Sequence, residues 1–485
     1  MRTLAILLLL TLVVAGCLRG SDDGTTGDDP EPEPTAYRPE VNATRLSAPT
    51  EDLSGVIDSD HGGLVYLHAV PSLHEGSYGL DLVGYNPLTR PGEGDAEGAD
   101  SAYIAIDTWG HLVCVAHFAG STGAQGGATI VDISDPADPV VLSSIPSGAV
   151  NSDCQFTDDG QYLVLATYTG GHEGVDQAPP PVGDAGSNGM SLYDVSDPAA
   201  PVFLFHDAQG AGGSGYHNVF TAQIDGTHYI FQTYTGNVLK INEDVTGLEP
   251  VSRLEHSDHD LWVGHHPITG EWVVVTGAGY GTAVFNIDDP AAPLLLGVWE
   301  GDRENRLAGW HRQWPLENTI DGRAYLVVGG EECGNGDSLP YAVLDWTDPS
   351  AMELTGSWWI PGKPANPGAG GLLGQPTPDH LCEMNSHEFE VWDGYVATGN
   401  YHAGVWLFDV GSAERVKEPV TIGYYLPSET PQLQGGTVNA PFAWSPNVWG
   451  AYFDERGYVV AADWWSGLYV LEFGATSGER PIDTA

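Results

Sequence analysis

One short pattern recurs along the chain and limits what it can become. A β-branched run, an Asp-Pro turn and a second apolar run read TIVDISDPADPVVL from Thr129, SLYDVSDPAAPVFL from Ser191 and AVFNIDDPAAPLLL from Ala283. A looser copy, YAVLDWTDPSAMEL, starts at Tyr341. Asp and Ser side chains accept backbone hydrogen bonds within such turns, while Pro presets φ and removes an N–H from further pairing. Each copy therefore predicts two strands joined by one fixed connection. The competing reading makes these aspartates calcium ligands. A calcium loop needs several oxygens converging around a Gly hinge, and this spacing does not offer them.

The repeat is longer than the hairpin. Ahead of it stand a strand, a Gly turn and an alternating apolar strand, as in DCQFTDDGQYLVLATYTGG, YHNVFTAQIDGTHYIFQTYTGNVLKIN and HEFEVWDGYVATGNYHAGVWLFDV. The turn glycines are Gly110, Gly160, Gly226, Gly270, Gly322, Gly394 and Gly457, which marks seven units between Ser101 and Phe473. Four antiparallel strands in units of roughly 40 to 60 residues is the pattern of a propeller blade. The expected fold is all-β: a seven-bladed β-propeller of four-stranded antiparallel blades over residues 61–475. The last unit lacks a fourth strand, and YGLDLVGYNP, Tyr78 to Pro87, has no unit of its own. This N-terminal strand is expected to complete the last blade and close the ring, because closure removes open sheet edges.

These repeats resemble those of LVIVD-repeat proteins over roughly Leu82 to Phe473. VLKINEDVTGLEP in the third unit and LFDVGSAERVKEP in the sixth depart from the Asp-Pro pattern, and the seventh lacks it. The resemblance implies an exported or surface-attached seven-bladed propeller. The family is broadly similar to selenium-binding and methanethiol-oxidase propellers, some of which are linked to copper, and it implies no shared reaction.

The first residues, MRTLAILLLLTLVVAGC, hold one early Arg2 and an apolar run too short for a comfortable membrane span. They read as a secretory signal over residues 1–16, and VAGC resembles the lipobox in which a cysteine, here Cys17, is lipidated. Residues 17–60 are acidic and rich in Pro and Gly, hence expected to be a disordered tether, with Asn42 of NAT as a candidate glycosylation site. A short disordered tail covers 476–485. The expected location is therefore the outer face of the cell membrane or envelope, held by a lipid anchor. Charge narrows the partners further: 66 acidic residues against 16 basic ones leave a net −50. Such a surface repels nucleic acid and anionic headgroups, and it fits a salt-adapted prokaryote.

Histidines gather at the starts of the first strands. The segments are VNSDCQF with Asp153, SGYHNVF with His217, HSDHDLW with His256, His259 and Asp260, GWHRQWP with His311, and NSHEFEV with His387 and Glu388. The seventh unit offers Asn447 there. In a propeller these segments converge on the axis, where imidazoles could bind copper, iron or zinc. The plainer reading is a polar channel lining that satisfies backbone amides and water. The offsets to the turn glycine differ: seven residues for His387, nine for His217, eleven for His259 and His311. Those offsets predict rings at different heights, which a metal would not tolerate.

Beyond Cys17 the cysteines number four, an even count that favours disulfides in an exported protein. Cys114 is in the first unit's second strand and Cys154 opens the next unit, while Cys333 follows a second strand and Cys382 stands just before the next unit's first strand, so the pairing expected is Cys114–Cys154 and Cys333–Cys382. Thiolate ligation of a soft metal with His380 or His387 is the alternative. GDSL at Gly336 and HSDHD at His256 match hydrolase strings without the folds those strings need. The tryptophans are expected to fill wedges between blades rather than to form sugar or peptide platforms.

Two functions follow. The leading expectation is a surface-anchored, non-catalytic propeller that binds an extracellular protein, peptide or glycan through loops on one face. The alternative is a metal-dependent oxidoreductase, using copper, iron or zinc, with a histidine-rich site at the central channel mouth.

Overall fold

In the computed structural model the described residues are 77–88, 101–119, 126–146, 150–168, 189–207, 217–303, 305, 307–331, 339–358, 386–401, 403–427, 447–464 and 466–473. The signal segment, Cys17, the tether with Asn42, the C-terminal tail, Cys333, His380, Cys382 and the first three residues of the GDSL string lie outside them.

All seven predicted turn glycines take a positive φ, from 59° at Gly110 to 84° at Gly457. Left-handed backbone costs Gly little, and it lets a tight turn match the twist of the strands it joins. The first sheet runs in chain order through Ser101–Trp109, Leu112–Ala119, Gly127–Asp132 and Val140–Pro146. Four more four-stranded antiparallel sheets begin at the inner strands Val150–Phe156, Val219–Ile224, Leu261–His265 and Arg312–Pro315. The remaining strands share one nine-stranded sheet. In it, an antiparallel set from Glu388–Trp392 to Val420–Tyr425 meets a set beginning at Val448–Phe453, through the parallel pairs Glu388↔Gly450 and Phe389↔Ala451. Leu80–Asn86 lies antiparallel on Gly467–Phe473, from Leu80↔Phe473 to Asn86↔Leu468, and so adds a fourth strand to a set of three.

The Asp-Pro turns are built as expected. Asp132 and Asp135 accept the amides of Ser134 and Ala137, and Asp194 and Asp197 those of Ser196 and Ala199. Asn286 with Asp289, and Asp345 with Asp348, repeat the pattern. These side chains are occupied by the turn itself. The turn also has a docking role that the sequence pattern does not reveal. Its proline carbonyl meets the outer strand of the preceding set: Ser143 Oγ donates to Pro198 O at 2.7 Å, and Ser252 Oγ to Pro290 O at 2.5 Å. Where that residue is Gly the carbonyl comes closer still. A Cβ at Gly297 would lie 2.0 Å from Pro349 O, and one at Gly84 2.0 Å from Pro136 O.

Apolar clusters fill the gaps between neighbouring sets. Val164 and Leu192 meet Val219 and Ile230, Val275 and Val284 meet Leu326 and Leu344, and Ile106 and Val113 meet Tyr452 and Val460 from the far end of the chain. Each fully buried aliphatic side chain contributes about 1.5–3 kcal/mol. Trp346, Trp358 and Trp406 are buried in these wedges, as expected of wedge-filling tryptophans. The Cys114–Cys154 disulfide ties the first sheet to the second across a Cα separation of 6.4 Å. Closing a loop of 40 residues in the unfolded chain is worth about 4 kcal/mol in the chain-entropy description.

Edge amides of adjacent inner strands are met by side chains. Asp107 accepts Phe156 N at 2.7 Å, Asp153 accepts Val219 N at 2.9 Å, and Glu390 accepts Phe453 N at 2.7 Å. Thr108 Oγ1 likewise donates to Phe453 O at 2.9 Å, linking the first inner strand to the last. A buried amide left open would cost about as much as a lost hydrogen bond.

Candidate metal centre

Four imidazoles stand just ahead of four successive inner strands. His217 and His259 precede Val219 and Leu261 by two residues, and His311 and His387 precede Arg312 and Glu388 by one. Counted this way the registers agree to within one residue, which corrects the expected mismatch in height. The offsets to the turn glycine instead measured the far ends of the strands. There the connection is two residues long after Ile224 but spans 266–271 after His265.

The rings are in contact. His217 Nε2 is 2.8 Å from His259 Nε2, His259 stacks on His311 at 4.0 Å between centroids, and His387 follows at 4.6 Å. Glu331 Oε2 approaches His311 Nε2 at 3.2 Å, and Tyr401 OH donates to Glu331 Oε1. His387 Nδ1 donates to Trp449 O at 2.7 Å, which leaves its Nε2 as the acceptor nitrogen. His259, His311 and Glu331 bring one ligand atom each to within 4.8 Å of one another, and all three are buried. His259 Nδ1 and His311 Nδ1 lack a hydrogen bond among the described residues, and His311 Nε2 has the Glu331 carboxylate beside it. Buried polar atoms are rarely left so, and a cation is one group that would satisfy them. A tetrahedral ion with bonds of about 2.0 Å sets its donors about 3.3 Å apart, close to the His311–Glu331 separation.

Glu331 escaped the sequence reading. It lies two residues beyond the second strand Tyr325–Gly329, as Tyr234 does beyond Thr227–Gln232, Tyr280 beyond Trp272–Ala278 and Tyr401 beyond Tyr395–Gly399. Aligning units on that strand end shows three tyrosines and one glutamate at a single repeat position. Tyr234 and Tyr401 hold positive φ values of 57° and 49°, unusual for bulky residues, and their rings lie 5.4 Å from His217 and 5.2 Å from His387.

The residues that follow the histidines form a second buried layer. Arg312 pairs with Asp260 and donates through Nε to Phe389 O at 3.2 Å. Glu388 accepts Tyr452 OH at 3.1 Å and Asn218 Nδ2 at 3.5 Å. Asp153 joins this layer and not the imidazole set: it accepts Val219 N at 2.9 Å while the neighbouring Asn218 reaches Glu388. His256 sits apart, against Phe285 at 6.4 Å, and Asn447 accepts Trp449 Nε1 at 3.0 Å. Phe220, Trp314 and Tyr452 lie beyond, with ring centroids 6.1 and 6.3 Å apart, and the Arg312 guanidinium rests over the last two.

Burial first, then the neighbouring His311, pushes His217 down to about 4 and His387 down to about 3. The same causes hold His259 well below the ordinary histidine value. For Glu331, burial works upward but is outweighed by His311, His387 and the Tyr401 hydrogen bond, which bring it to about 2. Neutral imidazoles and an ionised carboxylate are the forms that bind metals. This cluster can therefore hold a transition-metal ion.

Sheets and site together define a propeller-like all-β protein with a buried histidine–glutamate cluster at one end of its inner strands. The LVIVD repeat matches residues 123–145, which hold one Asp-Pro hairpin. No curated protein sequence matches the chain. Among solved structures, the WD40 repeats of RRP9 are similar at 12% identity and a TM-score of 0.47, covering 81% of this chain and 96% of that one. Kuenenia stuttgartiensis hydrazine synthase matches at 10% identity and 0.47, covering 80% and 99%, and Saccharomyces cerevisiae Sqt1 at 14% and 0.42, covering 78% and 83%.

Proposed function

We propose that this chain is a metal-dependent oxidoreductase, a seven-bladed LVIVD-repeat propeller that is exported and lipid-anchored through Cys17, with its active centre at the mouth of the central channel. The observation that carries the reading is the convergence of His259, His311 and Glu331, drawn from two neighbouring sheets and left with unsatisfied ring nitrogens. In support of the blade count, the nine-stranded sheet divides into two four-stranded sets with an extra edge strand, Ser77–Tyr78. Closure by Leu80–Asn86 is supported by its pairing with Gly467–Phe473 and by Asn86 Nδ2 donating to Pro139 O at 2.7 Å.

His259, His311 and Glu331 would hold the ion, with His217 and His387 beside them. Two imidazoles and a carboxylate suit iron or zinc, and the additional imidazoles suit copper. A bound copper or iron would supply reversible one-electron chemistry and Lewis acidity there. Tyr401 fixes the carboxylate of Glu331, and the Trp449 carbonyl fixes the tautomer of His387. A substrate would reach the imidazoles from the mouth, on the side away from the aromatic layer of Phe220, Trp314 and Tyr452.

Elemental analysis of the purified, tag-free protein tests this. About one equivalent of copper, iron or zinc should survive dialysis and disappear in His259→Ala and His311→Ala variants that keep their β-sheet circular dichroism. Absence of metal after incubation with all three ions would overturn the reading and leave a scaffold that only binds a protein, peptide or glycan.

A further inference from the structure

The layer behind the imidazoles holds more negative charge than its one cation can balance. Asp153, Asp260 and Glu388 share it with Arg312, and all four are at most 4% exposed. Asp260 is taken by the Arg312 ion pair. Glu388 receives two donors, from Tyr452 and Asn218. Asp153 accepts only the amide of Val219 among the described residues. Two further ionised carboxylates in one buried layer would leave it strongly negative, and a buried carboxyl avoids that by keeping its proton.

We infer that Asp153 carries a proton at neutral pH and releases it when a cation settles among the imidazoles above. The step is a plain dissociation: the O–H bond of the Asp153 carboxyl breaks, its electron pair stays on oxygen, and the proton leaves to solvent. The layer becomes one unit more negative as the mouth becomes more positive. Asp153 is a charge-compensating residue and touches neither ion nor substrate. Burial first, then Glu388, raises it well above the usual carboxylate range, with the Val219 amide and Arg312 pulling against them. The other titratable groups around it are Asp260 and Tyr452, Asp107 on the neighbouring inner strand, and His217 just ahead of Val219. The trigger rests on the metal reading; the stored proton does not.

Asp153→Asn in the full, metal-free chain separates the two. Asparagine copies a neutral carboxyl and cannot ionise in the unfolded chain, so the variant should fold at pH 6 with an unfolding midpoint equal to or above that of the native protein. Between about pH 6 and 9 the unfolding constant of the native protein should rise more steeply than the variant's, by up to tenfold per pH unit for one proton. Equal slopes, or a variant that is strongly destabilised or unfolded at pH 6, would overturn the inference. Infrared spectroscopy with Asp153 left in place provides a second check. In an Asp107→Asn background labelled with carboxyl-13C aspartate, a protonated aspartate band should be present at pH 6, and its absence would also overturn it. Zinc titrated calorimetrically in two buffers of different protonation enthalpy tests the trigger. The native protein should release about one more proton per zinc than Asp153→Asn. Equal counts would reject the coupling. If zinc binds neither protein the metal reading fails, and the slopes and the band still decide whether Asp153 holds a proton.

Discussion

His217 and His259 meet nitrogen to nitrogen, with 2.8 Å between their Nε2 atoms, although 42 residues of chain separate them. Burial keeps both imidazoles neutral. In the metal-free protein one ring must then donate a proton to the lone pair of the other. An ion bound at this mouth competes for the same lone pairs. Histidine 15N resonances should show one protonated and one bare Nε2 across this pair without metal, and a change at both nitrogens when one equivalent of zinc is added. Unchanged resonances would separate the His217–His259 contact from any metal chemistry.

Tyr401 reaches Glu331 with its hydroxyl while standing in left-handed backbone. Outer partners that orient a ligand are typically worth 10–100-fold in metal affinity. Tyr401→Phe should therefore weaken zinc binding by about that factor in a chelator competition, with little change in the unfolding midpoint. An affinity equal to that of the native protein would mean that Glu331 is positioned by its own strand end alone.

Much of the fold is legible because each unit repeats a local solution. Gly turns and doubled Asx hydrogen bonds are set by residues two or three apart, so TIVDISDPADP and SLYDVSDPAAP betray them. The four histidines are legible for the same reason, since each opens an inner strand. Glu331 is not, because at its repeat position other units carry tyrosine, and a search for histidines and carboxylates at strand starts passes over strand ends. The separation of Asp153 from the imidazoles was equally hidden. It depends on which inner-strand residue meets the next strand's amide, a tertiary relation between Asp153 and Val219.

Acidity should act on the metal-free fold in two opposed ways. Burial, the leading cause in each case, raises Asp107 to about 7 and Glu388 and Glu390 to about 8. Such groups bind more protons in the fold than in the unfolded chain. The stability they bring is complete below about pH 4 and is lost as pH rises through 7 to 8. His217 and His387, lowered to about 4 and about 3, bring stability that is present above about pH 6.5 and lost as pH falls through those values. Above about pH 6.5 only the carboxyls are changing, so the urea midpoint should fall from pH 6.5 to 8.5. A midpoint that stays level or climbs over the alkaline interval would mean that these carboxyls ionise freely in the fold.

The closure of the ring can be tested at one residue. Gly84 sits in the N-terminal strand where a Cβ would come 2.0 Å from Pro136 O and 2.9 Å from Pro139 Cδ, both in the first sheet's Asp-Pro turn. Gly297 has the same relation to Pro349, in the middle of the chain, where neighbouring sheets follow one another directly. Overpacking at such a contact costs about 1–3 kcal/mol, so Gly84→Ala and Gly297→Ala should lower the unfolding free energy by similar amounts. Gly247 provides the control, since a Cβ there meets only Asn242 Nδ2 at 3.8 Å. Gly247→Ala should be neutral or slightly stabilising, because it narrows the unfolded ensemble without a clash. If Gly84→Ala behaves like Gly247→Ala in urea denaturation, the N-terminal strand does not press on the first sheet in solution and the ring is open at that seam. If it behaves like Gly297→Ala, the contact between the last set and the first is as tight as one between sheets that are consecutive in the chain.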